Sequence, residues 1–203
     1  MQASSGQEIA LDPPPSPRLR GRAARHEAEL VRQARSGSPD AVETLVRRHW
    51  DGAYRAAFLI VQDAGAAEDI AQEAMLAAVR AIDRFDRRRP FRPWLHRIVV
   101  NRSLDWVRAR RRRSEVGGDV ADRAAAEVQP TERARELSDE LMAALAALDP
   151  EQRALIVLRH LLGYRASELA RMLDMPPATV RTQVARALAR LRVLLEQEEG
   201  GAS

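Results

Sequence analysis

The 203-residue sequence contains no cysteine and no lysine, only eight aromatic side chains, and no long apolar run. Without cysteine there are no disulfides, thiolate metal sites or thiol nucleophiles. Without an apolar stretch near the ~20 residues that cross a bilayer, no transmembrane helix is expected. The N-terminus has no apolar core of the kind a secretory signal carries, so a soluble, cytoplasmic protein is expected. With so few rings, the 45% of apolar residues must build the core from Ala, Leu, Val and Ile. Ala and Leu favour helix, and strand formers are thin, so the expected fold class is all-α.

The 33 basic residues are all Arg and leave a net charge of only +4. Their placement says more than their number. Between Arg87 and Arg113 there are eleven arginines and a single acid, Asp105. Such a patch fits a polyanionic partner, and guanidinium suits bidentate contacts to phosphate and guanine.

Residues 1–22, rich in Pro, Ser and Gly, read as a disordered tail. Helical periodicity follows from about Ala23 to Ser36. Ser38, Pro39 and Asp40 then supply an N-cap, a first-position proline and an acid for the first turn. Val42, Leu45, Val46, Trp50, Tyr54, Phe58 and Val61 continue at spacings of three and four. After a break at Asp63–Gly65 a second amphipathic run extends from Ile70 to Ile82, and a third from near Pro93 to about Arg112. Residues 114–135 contain paired glycines, a proline and scattered acids among small residues, the pattern of a solvated acidic linker. Residues 136–197 return to helix, with Asp149, Pro150 and Gln152 placed as N-cap, N1 and N3 of one segment and Gly163 placed to end it. Residues 198–203 form a short tail. Two small helical domains, 23–113 and 136–197, are expected.

In the second domain a short helix, Ala166–Leu173, a tight turn, Asp174–Pro176, and a longer helix from Pro177 to about Glu196 give a helix-turn-helix. Val180, Val184, Ala187, Leu191 and Leu194 would face the core, leaving Arg181, Thr182, Ala185, Arg186 and Arg190 outside. Arg reads guanine and Thr a base edge or methyl, so this face could read duplex DNA; a solvated basic face on a helical hairpin has the same composition. In the first domain Phe85, Phe91, Trp94 and Trp106 lie within or beside the arginine-rich stretch. Cations beside stacking rings are what single-stranded nucleic acid requires, although each ring could also serve as core. Asp69, Gln72 and Glu73 share a helix face, either solvated or offered to a basic partner.

Several of these segments resemble one family. Ala67–Met75 (AEDIAQEAM), Phe85-Asp86, Pro93–Ile98 (PWLHRI) and Asn101–Arg108 (NRSLDWVR) resemble region 2 of the extracytoplasmic-function sigma factors of bacterial RNA polymerase. Leu148–Arg153 (LDPEQR), Leu158-Arg159, Gly163, Glu168–Ala170, Pro176 and Thr179–Thr182 resemble region 4. The resemblance implies polymerase binding through Glu68, Asp69, Gln72, Glu73, Phe85 and Asp86, on the clamp of the large subunit. It implies contact with the −10 element, duplex and opened strand, through Trp94, Arg97, Asn101, Asp105, Arg108, Arg111 and Arg112. Thr179, Arg181, Thr182, Arg186 and Arg190 would read the −35 element, beside the polymerase flap. It further implies an anti-sigma partner, no cofactor, no metal and no catalytic residue. The linker's ~20 residues reach about 65–70 Å when extended, comparable with ~20 base pairs of duplex. Arg165 stands where the family usually has a Ser cap, and Val184 and Ala185 where its recognition helix often has Arg or His.

Other classes explain less. A stand-alone helix-turn-helix regulator accounts for the second domain but not for the Asp69 face or the Arg and aromatic cluster. His26, His49, His96 and His160 are scattered, with no metal-ligand spacing, phosphate loop or nucleophile arrangement that would mark an enzyme.

Overall fold

The computed structural model describes residues 17–86, 88–115 and 137–201, with side chains over 24–86, 88–113 and 137–197. The linker expected at 114–135 and most of the two tails lie outside these residues. The described residues form eight α-helices and no strand. They are α1 (Pro17–Arg35), α2 (Pro39–Val61), α3 (Ala64–Arg80), α4 (Phe91–Glu115), α5 (Asp139–Ala146), α6 (Pro150–Ile156), α7 (Ala166–Leu173) and α8 (Pro177–Gly201). A 3-10 turn, Ile82–Arg84, follows α3, and a π-helical segment, Val157–Leu161, continues α6.

In the N-terminal domain α2 is central, packed on α1, α3 and α4. The α3 face turned to it is made of Ala67, Ala71, Ala74 and Ala78, all fully buried at spacings of four and three. Small side chains there let the helices approach closely, and Leu45, Ile70, Met75, Leu95 and Val99 fill the remaining space. Local chemistry sets the boundaries. Ser38 Oγ accepts from the Ala41 N–H at 3.4 Å and Asp63 Oδ1 from the Ala66 N–H at 2.9 Å, capping α2 and α3. Gln62 ends α2 in the left-handed region at φ 55°, so only Gln62 and Asp63 separate α2 from α3, a shorter break than the sequence suggests. The first helix starts at Pro17, inside the segment expected to be tail, and α3 stops at Arg80.

The C-terminal domain packs α5 and α6 against α8 through Leu145, Leu148, Ile156, Ala187 and Leu191. Its second core joins Leu155, Leu158, Leu169, Val180 and Val184. Ser138 caps α5 by accepting from the Leu141 N–H at 3.3 Å. Asp149 does not cap α6 with its side chain as expected; its carboxylate points to Arg111, 3.9 Å away. Gly163, at φ +74°, ends the π segment in a conformation side chains disfavour, and the Tyr164 N–H then returns to the Leu158 carbonyl at 3.0 Å. Arg165 offers no oxygen for capping α7. Glu168 takes that role from inside the helix, accepting from the Arg165 N–H at 2.7 Å.

The two domains share a core. Leu59 and Ile60 of α2 and Val100 of α4 are fully buried among α6 and α7 side chains. Burial of a Leu or Ile stabilises by about 1.5–3 kcal/mol. Polar bonds cross the same seam. Arg153 of α6, 6% exposed, donates to the Ile60 carbonyl at 2.7 Å, and also to Ala146 and Leu148 carbonyls of its own domain at 2.7 and 3.2 Å. The Gln62 side chain donates to the Met142 carbonyl at 3.0 Å. His96 Nδ1 lies 2.9 Å from the Tyr164 hydroxyl, both groups buried.

Candidate nucleic-acid interface

Helix α4 organises the first site. Trp94, Arg97, Asn101, Asp105, Arg108 and Arg112 succeed one another at three and four residues and so lie along one side of the helix. Asn101, Asp105, Arg108, Arg111 and Arg112 are exposed, while Trp94 and Arg97 are half-buried. The Trp94 ring packs on Phe85 and Phe91, with centroids 4.9 and 5.5 Å away. It therefore serves as core on one side while its remaining surface stays accessible. Phe85 is 6% exposed inside this cluster, so its ring offers almost no surface for the polymerase contact expected of it. Asp86 is exposed and accepts from the Arg88 N–H at 3.0 Å. Trp106, also half-buried, carries the Arg110 guanidinium 5.2 Å from its ring centre.

The start of α4 is held from a distance. Glu27 of α1 lies 2.9 Å from His49 Nε2, and both side chains are largely buried. Burial pushes the Glu27 carboxyl up, but the bond and charge of His49, the charge of Arg48 and a backbone bond from Phe91 outweigh it, and Glu27 sits below the usual carboxylate range. Sequence reading missed this arrangement, because none of its partners are near in the chain.

On α3, Glu68, Asp69, Gln72 and Glu73 are all exposed, opposite the alanine face. Leu76, 47% exposed, continues the same strip, and Glu73 is ion-paired with Arg102 of α4. The strip is thus acidic and polar with one apolar side chain.

Helices α7 and α8 form the expected helix-turn-helix, with Asp174 left-handed at φ 54° and the Met175 N–H returning to the Ala170 carbonyl at 2.9 Å. Val180, Val184, Ala187 and Leu191 are buried, whereas Arg181, Thr182, Arg186 and Arg190 are exposed and Thr179 is half-buried. The Thr182 hydroxyl donates to the Ala178 carbonyl at 3.1 Å, which turns its methyl and oxygen lone pairs outward. Among the described residues, no group of three His, Asp or Glu side chains could hold a metal ion, and no helix is long and apolar enough to cross a membrane.

Comparison with known proteins matches this division. The family model for sigma-70 region 2 covers residues 45–113 and that for sigma-70 region 4 covers residues 138–191. The chain is 36% identical over 178 residues to the ECF RNA polymerase sigma factor SigM of Mycobacterium tuberculosis, covering 86% of this chain and 87% of SigM. Against SigW of Bacillus subtilis the identity is 30% over 173 residues, 80% of this chain and 92% of SigW. The solved structure of CnrH in complex with the cytosolic domain of CnrY superposes with a TM-score of 0.64 at 30% identity, over 84% of this chain and 97% of that one. CnrH of Cupriavidus metallidurans is 33% identical to this chain over 180 residues. With both regions in order and relatives matched over nearly their whole length, the chain belongs to the sigma-70 family, as an extracytoplasmic-function sigma factor.

Proposed function

We propose that the two domains divide promoter recognition, with residues 23–113 binding core polymerase and the −10 element and residues 136–197 binding the −35 element. The observation that carries this reading is the α3 strip. Glu68, Asp69, Gln72 and Glu73 are exposed together on a helix whose other face is sealed by alanine. A stand-alone DNA reader has no use for an acidic strip of this kind, whereas a basic coiled coil of the polymerase clamp is its complement. The exposed residues on the α4 side and Trp94 bind duplex and opened −10 DNA, and Arg181, Thr182, Arg186 and Arg190, with Thr179, read −35 duplex beside the flap. The linker at 114–135 carries the chain between the two. Strand opening draws on binding energy, with no nucleotide hydrolysis and no cofactor. The protein works in the cytoplasm, and an anti-sigma partner masks its polymerase- or DNA-binding faces, as CnrY binds CnrH and NepR binds RpoE in the solved complexes.

Run-off transcription with purified core polymerase on a genomic promoter library, with and without this chain, tests the reading. New start sites sharing a two-part upstream motif are expected. Asp69→Ala/Gln72→Ala should abolish them while leaving duplex binding by the full chain intact. If core gains no specificity and forms no complex, a stand-alone regulator becomes the better account.

A further inference from the structure

The side of α4 assigned to DNA does not face solvent along its whole length. Arg108 donates from Nη2 to Glu151 Oε1 of α6 at 2.8 Å, and Arg111 Nη1 lies 3.9 Å from Asp149 Oδ1. Arg108 also reaches Asp105 on its own helix at 3.3 Å. The hydrogen bond from Arg108 is the main influence holding the Glu151 carboxyl below its usual range. Nearer the start of α4, Pro93, Trp94 and Arg97 form one wall of a cleft whose other wall is Glu168, Arg171 and Met172 of α7. Both C-terminal carboxylates sit at the first turn of α6, which the buried Arg153 bonds to the N-terminal domain.

A carboxylate and a strand phosphate offer the same chemistry to a guanidinium, two anionic oxygens set for a forked pair of N–H donors. The atoms Arg108 and Arg111 would use on a phosphate are those now turned to Glu151 and Asp149. A chain closed in this way also holds its two DNA-reading helices in one body, while the separated promoter elements require them apart. We infer that Asp149 and Glu151 are a docking surface for the α4 arginines, an acidic shoulder of the C-terminal domain that occupies the strand-binding side of α4 until DNA displaces it. The inference rests on the −10 reading of α4 proposed above. The pairs are exposed, so each is weak and readily exchanged, and a polyanion that also stacks on Trp94 can displace both. Linkage then requires reciprocity: strand binding opens the chain, and weakening the acidic shoulder tightens strand binding.

The absence of cysteine makes this measurable in the full chain, because Thr44→Cys and Val193→Cys, at exposed positions of α2 and α8, create two unique labelling sites. A single short interdomain distance is expected, lengthening and broadening on addition of a single-stranded oligodeoxynucleotide of mixed sequence. Toward the same oligonucleotide, Asp149→Asn/Glu151→Gln should bind about two- to tenfold tighter. Asp139→Asn/Glu140→Gln removes the same charge from exposed positions of α5 and should change affinity far less. Equal tightening by the two double variants would reduce the effect to net charge and overturn the inference. A distance already long and broad without DNA, or one that DNA leaves unchanged, would overturn it as well. Arg108→Ala/Arg111→Ala separates the two levels. If that variant binds the oligonucleotide as well as the parent chain, the −10 reading of these arginines is what fails. If it loses binding while the acid-neutralised variant gains none, only the acidic shoulder fails.

Discussion

Helices α4 and α8 are each 25 residues long and both are rich in arginine, yet they are deployed differently. On α4, Arg102 is paired with Glu73, Arg108 with Asp105 and Glu151, Arg110 with Asp63, and Arg111 with Asp149. On α8, Arg181, Arg186 and Arg190 make no ion pair among the described residues. Their inner faces differ too. The core side of α8 is aliphatic throughout, whereas α4 buries His96 and Ser103. Composition makes two basic helices; on the reading proposed above, tertiary placement leaves one an open duplex reader and the other a guarded strand reader. Guarding follows from the shared core, which brings α6 and its carboxylates against α4.

The largest effect is expected where that shared core is polar. Arg153→Met keeps the aliphatic stem but strips hydrogen bonds from the Ile60, Ala146 and Leu148 carbonyls. A loss of about 3 kcal/mol in urea unfolding is expected, since buried carbonyls left unmatched cost about 1–3 kcal/mol each before water reaches them. Arg190→Ala on the open helix should stay within about 0.5 kcal/mol. If Arg153→Met is equally silent, the seam is wet and the contrast between the helices loses its structural basis.

Next comes the strand reader itself. Trp94→Ala should weaken single-stranded DNA binding by about 2 kcal/mol, roughly thirtyfold, while Trp94→Phe retains most of the affinity because a ring still stacks. Fluorescence anisotropy with single-stranded and −35 duplex probes checks this, and −35 duplex binding should not move. A somewhat smaller change is expected on α8. Arg181→Ala should cost about 1.5 kcal/mol on a −35 duplex and leave single-stranded binding unchanged. Loss of both activities from either variant would show that the helices do not divide duplex and strand between them.

Much of this division is legible in the sequence because its signals are local. Alanine and leucine at spacings of three and four mark the helices, Ser38 marks the start of α2, and the Asp174–Pro176 turn separates the two helices of the DNA-reading pair. The acidic strip of α3 is likewise contained in six residues. What the sequence does not reveal is the seam. Gln62 to Met142, Arg153 to Ile60 and His96 to Tyr164 join residues 80, 93 and 68 positions apart. No periodicity encodes such pairs. Asp149 illustrates the failure most directly: it has the identity and position of an N-cap, but a guanidinium from the other domain takes its carboxylate. Arg165 is the reverse case, a residue unable to cap whose helix is nonetheless capped by Glu168.

The smallest effect is a slope, and most of it belongs to α4. His96 is 1% exposed and its Nδ1 lies 2.9 Å from the Tyr164 hydroxyl. Burial above all, then the charges of Arg92 and His49, lower its pKa from 6.5 to about 3. Tyr164 is pushed the other way by burial, so its hydroxyl keeps its proton and stays paired with the neutral ring. The other ring nitrogen faces Gly52, where an added Cβ would come within 3.3 Å. Between pH 6.5 and 3 the unfolded chain binds a proton at this histidine that the folded chain refuses. Stability from the neutral ring is therefore fully present above pH 6.5 and falls as pH drops through that window, by about 1 kcal/mol from pH 6 to pH 5. His96→Gln, whose amide oxygen can still accept from Tyr164, should flatten the slope by that amount in urea titrations at the two pH values. His160, also lowered by burial but lying at the surface, adds a smaller contribution of the same sign, so His160→Gln should leave most of the slope in place. Equal flattening by the two variants would mean that acid acts on both domains alike. Flattening by His96→Gln alone would locate the acid-sensitive seam where α4 meets Tyr164, and so tie protonation to the guarded helix and not to the open one.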